Sequence, residues 1–166
     1  MNETTTVPAA TAAPDRAAIR AGIESTRAAY REVVQKMDDA KWKAPSENPG
    51  WTCGQLAWHV SSSLNYVNGI IENAKKGKET NLPGPLNPLA FRINGVLVRI
   101  RSRRATRESV LTEYDTAAEQ LLKTLDATAD SEFAISATNY GLTKTMLEMF
   151  ETPREHFTEH APSLRS

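Results

Sequence analysis

Thr52-Cys53-Gly54-Gln55-Leu56-Ala57-Trp58-His59-Val60-Ser61-Ser62-Ser63 is the stretch whose reading decides the fold. Thr52 and Gln55 stand three apart, the spacing of a capping box in which each side chain bonds the other's backbone N–H. A helix that starts there carries Leu56, His59, Val60, Ser63, Val67 and Ile70 on one stripe. The pattern predicts a helix over 52–76, closed by Lys75-Lys76-Gly77. It places His59 in the middle of the inward face. Ser63 and Tyr66 follow on nearby faces, where they are candidate pocket residues; no acid completes a serine triad with them.

Upstream, Pro45, Asn48-Pro49 and Gly50 mark a turn over 41–51, flanked by Trp42 and Trp51, which are expected to pack the bundle end. Before it, Ile19, Ile23, Tyr30, Val34 and Met37 recur at helical spacing, so 15–40 reads as the first helix with Asp15 as its N-cap. Residues 1–14, rich in Thr, Ala and Pro, are expected to form a flexible tail ahead of one domain over 15–166.

Downstream, Leu-Pro-Gly-Pro-Leu-Asn-Pro punctuates a loop over 77–88. Leu89, Ile93, Val96, Leu97 and Ile100 then give an accessory helix over 89–103. Thr106 caps a third long helix over 107–126, with Val110, Leu111, Tyr114, Ala118, Leu121, Leu122 and Leu125 as its core stripe. The weakly alternating Phe133–Ala137 is treated as loop. The last helix spans 143–163, with Met146, Met149, Pro153, His156, His160 and Leu164 on one side and Pro162 ending it. Proline inside a helix removes a hydrogen bond and clashes with the preceding turn. Thr152-Pro153-Arg154-Glu155 also fits a capping box, so the helix either kinks or restarts there. These four main helices, with a longer crossover between the second and third, predict an all-α four-helix bundle, whose sites are built from inward-facing side chains.

The chain of 166 residues has 20 basic and 20 acidic side chains. Zero net charge gives no pull towards nucleic acid or a membrane surface, and nothing approaches a spanning run of apolar residues. The start lacks a signal-peptide pattern, and the single cysteine, Cys53, has no internal partner, so a cytoplasmic protein is expected.

The chain's three histidines carry the chemistry. His156 and His160 are at i and i+4, on one helix face with Cβ atoms about 5–6 Å apart. With His59 facing the same core, three imidazoles can hold one divalent ion and leave positions open for water and substrate. Glu155 and Glu159 could orient the imidazoles, although a solvated face is their commoner role. Cys53 at a helix start is a possible nucleophile but behaves more often as a small buried hydrophobe. Arg99, Arg101, Arg103, Arg104 and Arg107 form a basic cluster at a helix junction. It could attract an anionic substrate, but a solvated junction is the more ordinary reading.

The chain resembles the DinB-like superfamily on Pro49–Val60, Arg101–Leu111 and Arg154–His160. The resemblance covers roughly 15–163. It implies a four-helix bundle that binds Zn or Ni through His59, His156 and His160, and often a homodimer. Members act on small molecules with a low-molecular-weight thiol, as mycothiol-dependent maleylpyruvate isomerases and mycothiol or bacillithiol S-transferases. Others are similar to metal-dependent hydrolases. No additional C-terminal domain of the isomerase kind is read here, which points to a transferase, with hydrolase as the alternative. A non-catalytic metal- or ligand-binding stress-response bundle is the rival from another class.

Overall fold

The structure is a computed structural model that describes residues 13–78, 88–139 and 141–165, with 88–92 as backbone only. Among the described residues there are six α-helices: α1 (Arg16–Lys36), α2 (Asp39–Lys43), α3 (Cys53–Lys75), α4 (Pro88–Ser102), α5 (Arg107–Asp126) and α6 (Met146–Arg165). A 3₁₀ turn (Asp130–Ala134) and a hairpin of β1 (Ser136–Asn139) and β2 (Leu142–Thr145) separate α5 from α6. Helix α3 packs on α5 and α6, and α1 packs on the same two. The four long helices therefore close a ring around one core, the expected all-α bundle, with α4 crossing outside it against α3.

The caps act where the sequence places three of them. Asp15 accepts from the Ala18 N–H at 2.9 Å. Thr52 and Gln55 exchange bonds of 3.2 and 3.0 Å, and Thr106 and Ser109 do the same at 3.1 and 2.9 Å. Each box satisfies N–H groups that have no intrahelical partner. At the centre, Tyr30 stacks on Tyr114 with centroids 4.2 Å apart, and Phe157 meets Tyr30 edge-on. The Tyr30 hydroxyl is not left unpaired; it donates to the Ala57 carbonyl at 2.9 Å.

Three local expectations need correction, and the structure adds the orientation of a fourth stretch. The turn over 41–51 includes the end of a short helix, α2, capped by Asp38. The stretch 133–137, treated as loop, enters a two-stranded hairpin that pairs Ser136 with Thr145. Helix α6 begins at Met146 and runs through both Pro153 and Pro162 without restarting. Its capping pair is Thr145 with Glu148 (Glu148 Oε2 accepts the Thr145 N–H at 2.7 Å), one of two Thr-x-x-Glu matches in this region. At the other, Thr152 donates to the Glu148 carbonyl inside the helix. Finally, the apolar stripe of α4 faces outward. Ile93, Val96, Leu97 and Ile100 are exposed, while Val98 and Ser102 are buried. Leu89 and residues 79–87 of the loop lie outside the described side chains, as do residues 1–12 of the expected tail.

Candidate metal centre and adjoining cleft

The local chemistry of two helices and one turn sets the site. The capping box fixes where α3 starts, and His59 lies two turns on, beside buried Trp51 with ring centroids 5.1 Å apart. Helix α6 stays regular through Pro153, so His156 and His160 keep their i,i+4 register. The three imidazoles meet between α3 and α6. His156 Nε2 is 3.2 Å from both His59 Nε2 and His160 Nε2, and the three potential ligand atoms all lie within 4.8 Å of one another.

The protons can be followed from the partners. Ser63 has one hydroxyl hydrogen, which goes to the Val60 carbonyl at 2.9 Å. Its oxygen, 2.9 Å from His156 Nδ1, therefore accepts, and the His156 hydrogen resides on Nδ1. Glu47 Oε1 is 2.7 Å from His160 Nδ1, and a carboxylate accepts, so His160 also carries its hydrogen on Nδ1. With both rings neutral, their Nε2 lone pairs face each other across that 3.2 Å gap. A cation between them, a proton or a metal ion, relieves that repulsion. Two nitrogens bound to one tetrahedral zinc ion stand about 3.3 Å apart, close to the spacing here. The donor set fits a divalent transition metal.

Electrostatics keep the rings available. Burial, with the nearby His160 charge adding to it, lowers His59 to about 4. Burial and the charges of His59 and His160 lower His156 to about 3. Both are neutral near pH 7, the form that ligates.

Glu47 is the residue sequence reasoning missed. It sits in the turn between α2 and α3, where no periodicity assigns it a direction. The turn is nonetheless tied down: Pro45 bridges Thr52, and the Glu47 N–H donates to Ser163 Oγ at 2.9 Å. Gly50, at φ 76°, reverses the chain inside it. By contrast, Glu155 is exposed and paired with Lys144 at 2.7 Å, and Glu159 is exposed. The orienting contacts come from Glu47 and Ser63 instead. Cys53 is fully buried, which suits a packing residue rather than a nucleophile. Of the arginine cluster, Arg99 donates to the Gly50 carbonyl and Arg107 pairs with Asp39.

Beside the histidines is a cavity of about 260 Å³, lined by His59, His156 and Ser63 with Val60, Leu64 and Tyr114 among others. Tyr66 also lines it and donates to Asn139 Oδ1 of β1 at 2.8 Å. The two candidate pocket residues thus border one space.

The family described as mycothiol maleylpyruvate isomerase N-terminal domain matches residues 23–160. A crystal structure titled as the mycothiol-dependent maleylpyruvate isomerase is similar in fold, with a TM-score of 0.72 at 16% identity over 91% of this chain. The chain spans 61% of that structure's length. No curated protein is significantly similar in sequence.

Proposed function

Since the chain belongs to the mycothiol maleylpyruvate isomerase N-terminal domain family, within the DinB-like superfamily, we propose that it is a divalent-metal-dependent enzyme that transfers a low-molecular-weight thiol to an electrophilic small molecule. The observation that carries this reading is the convergence of three imidazole nitrogens, two of them on residues that line an apolar cavity. His59, His156 and His160 would hold the ion, zinc or nickel by donor type. Bound there, the ion would supply Lewis-acid activation of a thiol near neutral pH.

The remaining work falls to the chain. Glu47 Oε1 holds the Nδ1 proton of His160, and Ser63 Oγ holds that of His156, so both rings keep one orientation. Val60, Leu64 and Tyr114 give the cavity an apolar lining. In addition to an enone, the thiol sulfur forms one S–C bond and the C=C π bond breaks. The thiol proton ends on the carbon next to the carbonyl. Hydrolysis by the same centre is the alternative; the thiol-related family favours transfer. A non-catalytic bundle that only holds metal is the rival.

The homodimer that the resemblance implies finds support in α4, whose exposed Ile93, Val96, Leu97 and Ile100 form one apolar face. Light scattering on an Ile93→Lys, Leu97→Lys variant tests it; an unchanged mass would remove α4 from the interface. No helix among the described residues is long and apolar enough to cross a membrane. A cytoplasmic setting, where such thiols are abundant, is part of the same proposal.

The test of the function is metal content by mass spectrometry, beside thiol consumption with mycothiol and an enone. Near-stoichiometric metal and metal-dependent loss of free thiol support the transferase. Metal without turnover of thiol or ester substrates would leave the non-catalytic bundle. No metal after soaking with Zn and Ni would overturn the reading.

A further inference from the structure

The cavity at the histidines does not end at His156. A second one of about 180 Å³, lined by Leu142, Lys144, Met149 and Ala137 among others, shares Val67, Ile70, Asn139 and Thr152 with it. The two form one cleft that runs from the imidazoles, between α3 and α6, to the inner face of the hairpin. Its wall is mainly hydrocarbon.

The charge of that wall limits what can bind. In the inner part the titratable side chains are His59, His156, Tyr66 and Tyr114. No Lys, Arg, Asp or Glu is among the described residues that line it, and burial pushes the Tyr114 phenol up. In the outer part the one cation among the described lining residues is Lys144, which Glu155 holds at 2.7 Å and Thr152 at 3.1 Å. A carboxylate lodged along this wall would lose its hydration and find no unpaired cation. An ion at the three histidines lies at the inner end, where the nucleophile has to be. A neutral carbonyl meets no such penalty. Asn139, whose Oδ1 is taken by Tyr66, still has its amide N–H groups to donate where the two cavities join.

We propose that this cleft seats the electrophile, and that the electrophile is an uncharged, mainly apolar molecule with one carbonyl acceptor, not a dicarboxylate. This rests on the transferase reading for the word electrophile, but the binding preference stands on the cleft alone. The bound body has the bulk of a substituted benzene, and the polar part of any sugar-bearing thiol stays outside.

The preference is measured without turnover. The protein, free of thiol, both metal-soaked and after chelation, is titrated by calorimetry with 4-phenylbutan-2-one and with succinate, unreactive stand-ins for an apolar enone and an unsaturated diacid. The preference is read after chelation, where no ion can take a carboxylate. The ketone is expected to bind at least tenfold more tightly. Val67→Phe, which fills the shared middle of the cleft, is expected to weaken the ketone at least tenfold. Leu142→Lys, at an exposed hairpin position that the fold tolerates, is expected to narrow the preference at least threefold. Succinate binding as tightly as the ketone, or a preference unmoved by Leu142→Lys, would overturn the inference. Metal content of the soaked samples keeps the two readings apart. Metal with no ketone preference removes the cleft inference alone, and the preference with no metal taken up removes the transferase and leaves the cleft.

Discussion

Two clusters of polar side chains sit between helices of this bundle, and they are built on opposite rules. On the α1–α5 seam, Arg27 and Arg31 both bond the Asp115 carboxylate, and Arg27 reaches Glu119 at 3.1 Å. Every charge there meets its opposite. The bond to Asp115 raises the Arg27 pKa first of all, so the cluster is self-sufficient. On the α3–α6 seam, the histidines use their outer nitrogens on Ser63 and Glu47 and leave the inner ones facing each other. A cluster that satisfies itself needs nothing else. Neutral rings whose lone pairs converge leave room for a cation, and that difference sets the two seams apart.

The strongest way to break the comparison is to delete ligands. His156→Ala, His160→Ala is expected to abolish metal retention on a desalting column while the helical circular dichroism is kept. Full metal content in that variant would refute the centre.

Next in size is Glu47→Ala. Loss of an outer-shell partner of a ligating histidine costs about 10–100-fold in metal affinity. We expect that loss in competition with a chromophoric chelator, and a smaller one for Glu47→Gln, which keeps an acceptor oxygen. Glu155→Ala is expected to change nothing.

Acid should distinguish the clusters as well. His59 and His156 have folded pKa values of about 4 and about 3, below the ordinary value of 6.5. Between pH 6.5 and those values the unfolded chain binds protons that the folded chain refuses, so metal-free stability falls as pH drops. From pH 6.5 to 5 the loss is ~2 kcal/mol per histidine, at 1.36 kcal/mol per pH unit. Urea unfolding at the two pH values measures it, and His156→Gln is expected to remove about half. A flat profile would mean that the rings are not desolvated.

The smallest effect belongs to the other seam. Asp115→Ala is expected to lower stability by about 1–2 kcal/mol, since partly exposed ion pairs contribute little and this one joins two arginines. Metal content should be unchanged. A loss of metal would show that the seams are coupled through the core.

Much of the site was legible before the fold. His59 stands on an apolar stripe that one capping box sets in register, and His156 and His160 need only a regular helix to share a face. Ser63 followed from the same stripe. Glu47 did not, because it lies in a turn and acts on a side chain 113 residues away. Glu155 and Glu159 were nearer in sequence, yet a helix turns neighbours of an inward residue outward, and both are exposed.

The sequence by itself determined the four long helices, their starts at Asp15, Thr52 and Thr106, and the inward face of three of them. Period and capping are local physics, written within a few residues. Tertiary structure decided what local physics leaves degenerate. Thr145–Glu148 and Thr152–Glu155 offer the same cap pattern, and the hairpin that closes on Ile135 with the Met146 N–H selects the first. Helix α4 has an apolar stripe as regular as that of α3, but its buried face is the one with Val98 and Ser102. A periodic pattern says that a face is apolar; only the packing of the other helices says whether anything covers it.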